Sequence, residues 1–494
     1  MRPRQLTVLL TFAAAVFLAL CAGISVATAN YGLLILSAGL TIVATLVIMP
    51  GYVPLFAFGL LVPFSLPVPF IWNFPFLFIA LGICALKYWL QRGLQHKTQS
   101  IQFKALDFSM RLFFAWVLVR YCMKPSLPNL MGFGRNVTGF RSWLGYALSF
   151  GVLIFLGRFV ANRAGLLKLM RWLAYVSIFF ILLFVASTLS RSMALAILFT
   201  RLGMYVDRFD NGFLRFVVLP QFGVILFSLA LLPNLLKLKR LARWALVMLG
   251  FSAIFFGGNR GTFGAALIVV IAIPLLRRQI RLAAATAGVV LAVAVGGFFA
   301  GTMLSRLPQT GIFRPLALLS PALSRVTGAD ANLEWREVRW QRAVDEIREH
   351  PLIGIAYGGL ENVFETDFQS EDESLDMNLV TGGVHNGYLA GALALGIPAS
   401  LLFIYILISQ IIANARRGWS LQKADPEVAE AYSFVCAMLL AYVPSILIGT
   451  DINDPFLWFL FALGLFIRQL RRWEARRAIA PPALVKPALA GQLA

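Results

Sequence analysis

Long runs of apolar residues recur along the chain, separated by short polar or charged segments. Each run of about 18 to 25 residues is long enough, as a helix, to cross roughly 30 Å of hydrocarbon. The alternating strands typical of a membrane barrel are absent from the pattern. The chain is therefore predicted to be an all-α polytopic membrane protein with about 14 transmembrane helices. The predicted spans are 6–28, 32–49, 52–70, 73–90, 106–122, 142–159, 171–189, 214–235, 243–256, 261–276, 281–301, 385–412, 430–448 and 454–470.

Basic loops give an independent check on this count. If the basic start of the chain is cytoplasmic, the other basic loops fall on the same side, as the positive-inside rule requires. These loops are 87–104, 163–171, 237–243, 277–281, 416–423 and 468–477. Both termini are then cytoplasmic. The remaining loops lie on the outer face: 123–141, 190–213, the turn at Asn259-Arg260, 302–384 and 450–454.

This topology divides the chain into four parts. Residues 1–301 carry helices 1–11, residues 302–384 form one large outer loop with short helices, and residues 385–477 carry helices 12–14. Residues 478–494 form a disordered cytoplasmic tail rich in proline, alanine and leucine. Within the large loop, residues 332–350 predict an amphipathic helix that ends before Pro351, because proline disfavours helix at the residue before it.

Composition agrees with a chain dissolved in lipid, being 60% hydrophobic and 13% charged, with a mean hydropathy of +0.80. The net charge of +21 would suggest nucleic acid in a soluble protein. Here most of it lies in the short loops that set topology, so no nucleic-acid partner is expected. The four cysteines fall in or beside predicted spans without metal-ligand spacing.

His385 is the histidine best placed for chemistry. It stands with Asn386 at the mouth of a predicted span, after Gly382 and Gly383 and before Tyr388. An imidazole takes up or releases a proton near neutral pH, and the same position also suits a structural histidine at a helix end. Of the other two histidines, His96 is interpreted as a solvated loop residue and His350 as a helix-end residue.

Arginines are concentrated on the predicted outer face, against the positive-inside trend. They are Arg191, Arg201, Arg208, Arg215, Arg260, Arg306, Arg314, Arg325, Arg336, Arg339 and Arg342. The planar guanidinium suits bidentate recognition of phosphate, so this face is expected to handle an anion. Arg260 sits between two spans with barely a loop, and Arg215 is predicted one turn inside an apolar span. Arg260 also fits a simpler interpretation, in which its side chain only reaches the lipid headgroups.

An acidic run, Glu361 to Asp376, follows in the large loop. It lacks the residue order of a calcium loop, and no histidine flanks it at ligand spacing. We interpret the run as a solvated lid and predict no metal. Nucleotide-binding and dinucleotide-binding motifs are absent as well, so no cofactor is expected.

Two segments resemble a known family. The string His385-Asn386-Gly-Tyr388-Leu389, followed by Gly396-Ile397-Pro398, resembles the signature of bacterial O-antigen ligases and the related O-antigen and exopolysaccharide polymerases. Upstream, Arg336-x-x-x-Trp340 followed by His350-Pro351-Leu-Ile-Gly354 is similar to the family's large periplasmic loop, and Asn259-Arg260-Gly261 is similar to its short turn between spans. The arginine expected in the 190–213 loop is either Arg208 or Arg215.

The resemblance implies a GT-C-type fold in the bacterial inner membrane, with its active site facing the periplasm. It implies transfer of a glycan from undecaprenyl pyrophosphate to a hydroxyl acceptor, a saccharide or the lipid A-core, without a metal. On this basis His385 is the expected base, Arg336 and Arg215 complete the catalytic set, and the expected substrate-binding residues are Arg260, Arg208, Asn386, Arg339, Trp340 and Tyr388. Polymerase and ligase are not separated by these residues. A transporter or flippase of lipid-linked sugars and an oligosaccharyltransferase acting on protein remain as alternatives.

Overall fold

The computed structural model describes residues 52–63, 65–68, 71–94, 107–125, 140–190, 193–201, 206–208, 214–257, 259–299, 331–357, 384–449 and 451–479. Over these ranges the chain is a bundle of helices with two short hairpins. The elements, in chain order, are α1 (Val53–Leu61), β1 (Ser65–Val68), β2 (Ile71–Pro75), α2 (Phe76–Leu94), α3 (Phe108–Met123), α4 (Phe140–Val160), α5 (Arg163–Ser190), α6 (Met193–Arg201), β3 (Val206–Arg208), β4 (Leu214–Phe216), α7 (Leu219–Ala230), α8 (Pro233–Leu236), α9 (Arg240–Phe256), α10 (Arg260–Leu276), α11 (Ile280–Phe299), α12 (Ala331–Glu349), α13 (Gly387–Leu395), α14 (Ile397–Leu421), α15 (Pro426–Ile448) and α16 (Pro455–Ile479).

The helical architecture predicted from the apolar runs is confirmed, and four of the described helices are long and apolar enough to cross a membrane. They contain the segments Ser142–Val160, Arg163–Ser190, Ile397–Leu421 and Pro426–Ile448. Four shorter apolar helical segments accompany them: Phe76–Leu86, Leu219–Ala230, Arg260–Leu276 and Ile280–Ala292. The predicted spans 6–28 and 32–49 lie outside the described residues, as does most of the 302–384 loop. The total of 14 spans and the GT-C type therefore stay predictions.

Three predicted spans are wrong in detail, each for a local reason. The 52–70 span ends as a helix at Leu61, and the proline-rich sequence that follows forms the β1–β2 hairpin. Proline removes a backbone donor and breaks a helix interior, so this stretch cannot continue α1. The 214–235 span begins as a strand, and its helical part breaks before Pro233. The 385–412 span is interrupted at Gly396, whose φ of +88° ends α13 before α14 begins.

The two hairpins are small antiparallel additions to the bundle. β1 pairs with β2, and β3 pairs with β4 in the register Val206↔Phe216, Asp207↔Arg215 and Arg208↔Leu214. The alternation was too short to be recognised among apolar neighbours in the sequence. The second hairpin matters for the site because it carries Arg215 on a strand, not inside an apolar helix as predicted.

The centre of the bundle is formed by α15 and α16. Most residues of α15 are buried, and α16 has an almost continuous buried stretch from Leu457 to Ile467. α15 packs against α10, α14 and α16, and α16 also packs against α4. Apolar side chains on the outer helices remain exposed, as expected for surfaces that face lipid tails.

The N-terminal end of α15 is fixed by ion pairs. Asp425 forms ion pairs with Arg163 at 2.7 Å and with Arg471 at 3.0 Å. Glu427 forms ion pairs with Arg163 at 2.9 Å and with Lys237 at 2.6 Å. This contact explains why α5 begins at Arg163, eight residues before the predicted span. With 23 residues, α15 extends about 35 Å to Gly449 at its other end, where the candidate site lies.

Candidate functional site

His385 is placed by the cap of α13. The side-chain oxygen of Asn386 accepts hydrogen bonds from the backbone N–H of Tyr388 at 3.1 Å and of Leu389 at 3.2 Å. Asparagine is among the best N-cap residues, because it satisfies amides that have no partner within the helix. His385 itself has a φ of +53°, which turns the chain sharply into the helix. The local sequence therefore fixes the backbone that carries the imidazole.

The His385 side chain is exposed on one side and packs against Gly449 on the other. A Cβ placed on Gly449 would lie 3.6 Å from His385 Nδ1. Neighbouring protein atoms desolvate the ring, and the charges of Arg336 and Arg339 disfavour a further cation. These causes, desolvation first, lower the pKa of His385 below its ordinary value of 6.5. The imidazole is thus neutral at pH 7 and available to accept a proton.

Arg336 and Arg339 reach His385 from α12, the helix that the sequence predicted in the large loop. Trp340 Nε1 donates to the carbonyl of Val384 at 3.1 Å, which ties α12 to the turn that carries His385. Arg336 is half-buried, and Arg339 is 6% exposed. Burial lowers the pKa of Arg339 from its ordinary value, but a guanidinium stays protonated at neutral pH. α12 therefore brings two permanent positive charges to the histidine.

Arg260 lies at the same end of the bundle. It is the first residue of α10, whose N-cap Asn259 accepts a hydrogen bond from the N–H of Thr262 at 3.3 Å. A Cβ on Gly261 would lie 3.5 Å from Cγ2 of Ile448, the residue before Gly449. The N-terminus of α10 is thus beside the turn that contacts His385. Helix N-termini carry partial positive charge and bind anions, which adds to the arginines.

Arg215 is attached to the turn that precedes Arg260. Its Nε donates to the carbonyl of Gly257 at 3.1 Å, at the C-terminal cap of α9. A cation at a helix C-terminus is favourable, so part of its role is to complete that cap. Arg208 pairs through its backbone with Leu214, one position along the hairpin from Arg215. The hairpin therefore places both candidate arginines of the 190–213 region on one element beside α9, and Arg215 is the one with a described bond there.

Three residues predicted to bind substrate make bonds to the framework. The side-chain oxygen of Asn386 accepts the hydrogen bonds of the α13 cap, and the Trp340 N–H donates to the Val384 carbonyl. The Tyr388 hydroxyl donates to the carbonyl of Val443 on α15 at 3.2 Å, and its own carbonyl accepts from Ser400 at 3.2 Å. These side chains hold α12, α13 and α15 together around His385.

The two signature segments meet directly. Ile397 N donates to the Pro351 carbonyl at 2.8 Å, and Ile355 N donates to the Leu393 carbonyl at 2.7 Å. Gly354 has a φ of +66° and Gly396 a φ of +88°, both in the left-handed region that favours glycine. A Cβ on Gly354 would overlap the Leu393 carbonyl oxygen, and one on Gly396 would overlap the Leu352 carbonyl oxygen. We call this contact the glycine joint.

Sequence reasoning placed the turn between α15 and α16 on the outer face but gave it no part in the site. Gly449 packs against the imidazole, and two residues later the exposed Asp451 carries a negative charge that acts on Tyr357. Burial, followed by the Asp451 charge, raises the pKa of Tyr357 well above its ordinary value. The available signal was an acidic residue at the end of an apolar span, which usually marks a functional position.

Among the described residues, the side chains that could share a metal ion lie away from this cluster. Within the described ranges, one group of acidic and histidine side chains could share an ion: Glu346, Glu349 and His350. It lies at the C-terminal end of α12, about 15 Å or more along the helix from Arg336. The predicted acidic lid, from Glu361 to Asp376, falls outside the described residues.

The fold and this cluster define a polytopic membrane protein with a strongly cationic site, built around one histidine, at one end of its helices. Residues 244–404 match the family model described as O-antigen ligase, and among curated proteins none matches the chain. This match confirms the family resemblance for residues 244–404, which are called the O-antigen ligase domain below. It includes Arg260, Arg336 and His385, whereas Arg208 and Arg215 precede it.

Proposed function

We propose that this protein is a glycosyltransferase that moves a glycan from undecaprenyl pyrophosphate to a hydroxyl acceptor. The observation that carries the proposal is an accessible, neutral His385 that feels the charges of Arg336 and Arg339, with the Arg260 end of α10 beside the turn that contacts it. A general base and a cationic cradle are the two groups that this transfer needs. The O-antigen ligase domain supports the same class of reaction.

His385 would accept the proton of the acceptor hydroxyl while that oxygen attacks the anomeric carbon of the glycan. The bond between that carbon and the pyrophosphate oxygen breaks, its electron pair stays on the pyrophosphate, and the proton later leaves the imidazolium for solvent. Positioned proton transfer typically contributes about 10² to 10⁴-fold to the rate. Arg336, Arg260 and Arg215 would hold the pyrophosphate and offset its growing negative charge, in place of a metal ion.

The proposed setting is the bacterial inner membrane, with this end of the bundle facing the periplasm. The lipid tail of the donor would lie among membrane lipids between helices, and the acceptor would be a saccharide or the lipid A-core. Polymerase and ligase share the base, the donor and the cationic cradle. They differ in the acceptor, so the site supports either activity equally.

Reconstitution tests the function itself. The purified chain in lipid vesicles, given lipid-pyrophosphate-linked glycan and acceptor, is expected to release undecaprenyl pyrophosphate and form product in the presence of excess chelator. Product is measured by gel electrophoresis, and released lipid by mass spectrometry. The His385→Ala protein is the matched control. Movement of intact donor across the vesicle membrane without bond cleavage would favour a flippase, and loss of product in chelator that a divalent ion restores would contradict metal-independent transfer.

Arg336→Lys is expected to lower turnover about 10- to 100-fold, because the lysine keeps the charge but loses the bidentate fork that grips a phosphate. Initial rates in the same vesicles measure the effect. Arg348→Lys is the control, since Arg348 lies on the same helix, is exposed and pairs with Asp345 at 3.1 Å. Wild-type turnover for Arg336→Lys would reduce Arg336 to a structural residue.

A further inference from the structure

The segment that follows α12 contacts the C-terminal ends of α3 and α13. α3 ends at Met123, α12 ends at Glu349, and α13 ends at Leu395. The chain after α12 continues its last turn, with Gly354 N donating to the His350 carbonyl at 2.9 Å, and then bonds to the end of α13. The last carbonyls of α3 carry partial negative charge, which favours a cation in the last turn of that helix.

Arg120, in the last turn of α3, lies at this contact. It is 3% exposed, and its Nη2 donates to the Gly354 carbonyl at 3.0 Å. Its Nη1 is 3.7 Å from Met123 Sδ, and its Nε is buried without a hydrogen-bond partner among the described residues. No carboxylate in the described part of the chain pairs with it. A buried charge without a counter-ion is costly, and the bond to the Gly354 carbonyl and the position in the last turn of α3 offset part of that cost.

Two neighbours on α3 extend the same contact. Trp116 Nε1 donates to the Leu395 carbonyl at 2.8 Å, and Lys124 Nζ donates to the Ile355 carbonyl at 3.3 Å. Trp116 and Arg120 are four residues apart and share one face of α3, and Lys124 follows them as the C-cap residue. All three donate to backbone carbonyls of the glycine joint. They lie outside the stretch 244–404, so a helix that precedes the O-antigen ligase domain contacts it.

We propose that Arg120 is a positioning residue. By binding the glycine joint, it fixes the C-terminal ends of α12 and α13 relative to each other, and it thereby sets the distance of Arg336 and Arg339 from His385. Arg336 lies 13 residues before the end of α12, about 20 Å along the axis. A tilt of about 3° at the joint would therefore move Arg336 by about 1 Å. Shifts of that size can cost about 100-fold in rate. The structural part of this proposal stands alone, and its catalytic consequence rests on the proposed function.

A distance measurement tests the structural part without any substrate. Spin labels on Val338 in α12 and Leu447 in α15, both exposed, report the position of α12 relative to the turn at Gly449. In a chain whose native cysteines are replaced, Arg120→Met is expected to shift or broaden the distance distribution. Arg120→Lys, which keeps the charge, is expected to change it less. Arg111→Met, the same change at an exposed position of α3, serves as the control and is expected to leave the distribution unchanged.

If Arg120→Met does not accumulate in membranes, Arg120→Gln and Arg120→Lys carry the same test. A shift with glutamine and not with lysine supports the proposal, and a wild-type distribution with both overturns it. A wild-type distribution in a well-folded Arg120→Met protein also overturns it.

The rate–pH profile tests the catalytic consequence. Arg336 and Arg339 help to depress the pKa of His385, while Arg260 and Asp451 lie on the other two segments beside it. When α12 moves away, that pKa rises toward 6.5, and the acidic limb of the profile shifts to higher pH because the base must be neutral. Turnover is expected to fall about 10- to 100-fold, with partial recovery in Arg120→Lys.

If turnover falls while the acidic limb of the rate–pH profile stays at its wild-type pH, Arg120 does not position the arginines, and the proposal is overturned. If instead His385→Ala retains full activity, the proposed function fails, and the spin-label distances still decide the role of Arg120.

Discussion

Replacing His385 with alanine is expected to remove product formation, with a loss of about 10² to 10⁴-fold. The residue supplies the proton acceptor of the proposed reaction, and no other histidine of the described structure lies near the arginines. His385→Gln should lose as much, since an amide keeps hydrogen bonding but cannot accept the proton. Product from membranes and from reconstituted protein measures the loss, with protein level determined by immunoblot.

His350→Ala is the matched control. This histidine is also exposed and lies at the end of α12, away from His385. It is expected to retain activity. Full activity of His385→Ala would remove the base from the mechanism, and equal losses in both variants would point to a general effect of histidine loss in this loop.

Gly396→Ala and Gly354→Ala are expected to be the most damaging small substitutions in the domain. At each position an added Cβ overlaps a carbonyl oxygen of the opposite segment, and the positive φ is strained for alanine. Left-handed backbone alone costs about 1 to 2 kcal/mol, and the overlap forces the joint apart in addition. Because α13 carries His385 at its other end, activity is expected to fall about 100-fold or more even where the protein still folds. Thermal unfolding and turnover measure the two effects separately.

Gly288→Ala is the control for these changes. Gly288 lies in α11 within the same domain, and an added Cβ meets no atom within 4 Å. Alanine is the better helix former, so this variant is expected to be as stable as the wild type or slightly more so. If Gly396→Ala behaved like Gly288→Ala, the glycine joint would not be rigid.

Much of the fold could be predicted because apolar length is a strong signal. The helices α2, α3, α4, α9, α10, α11 and α15 lie close to the predicted spans. The failures arise where a local backbone effect overrides hydropathy. Proline ends α1, and a hairpin replaces the start of the 214–235 span. Gly396 divides the predicted 385–412 span into α13 and α14. Hydropathy cannot register these breaks, because the residues that flank them are as apolar as those in the helices.

The residues of the candidate site could be named from the sequence, but the contacts that assemble them could not. Charge position and the family signature led to His385, Arg336 and Arg260, which the structure brings to one end of the bundle. They could not show that Asn386, Trp340 and Tyr388 bond to the framework, since side chains that recognise a ligand and those that cap a helix have the same composition. Arg120 was hidden for a different reason. The acceptor that links it to the site is the backbone carbonyl of Gly354, and a backbone carbonyl leaves no trace in the sequence.

The stretch 358–383 is flanked by two anchored residues, Tyr357 and Val384. Trp143 Nε1 donates to the Tyr357 carbonyl at 3.3 Å, and Trp340 Nε1 donates to the Val384 carbonyl at 3.1 Å. Tyr357 is held by α4 and Val384 by α12, and both helices lie outside the stretch. Exchanges within residues 358–383 are therefore expected to leave the turn that carries His385 tied to α12.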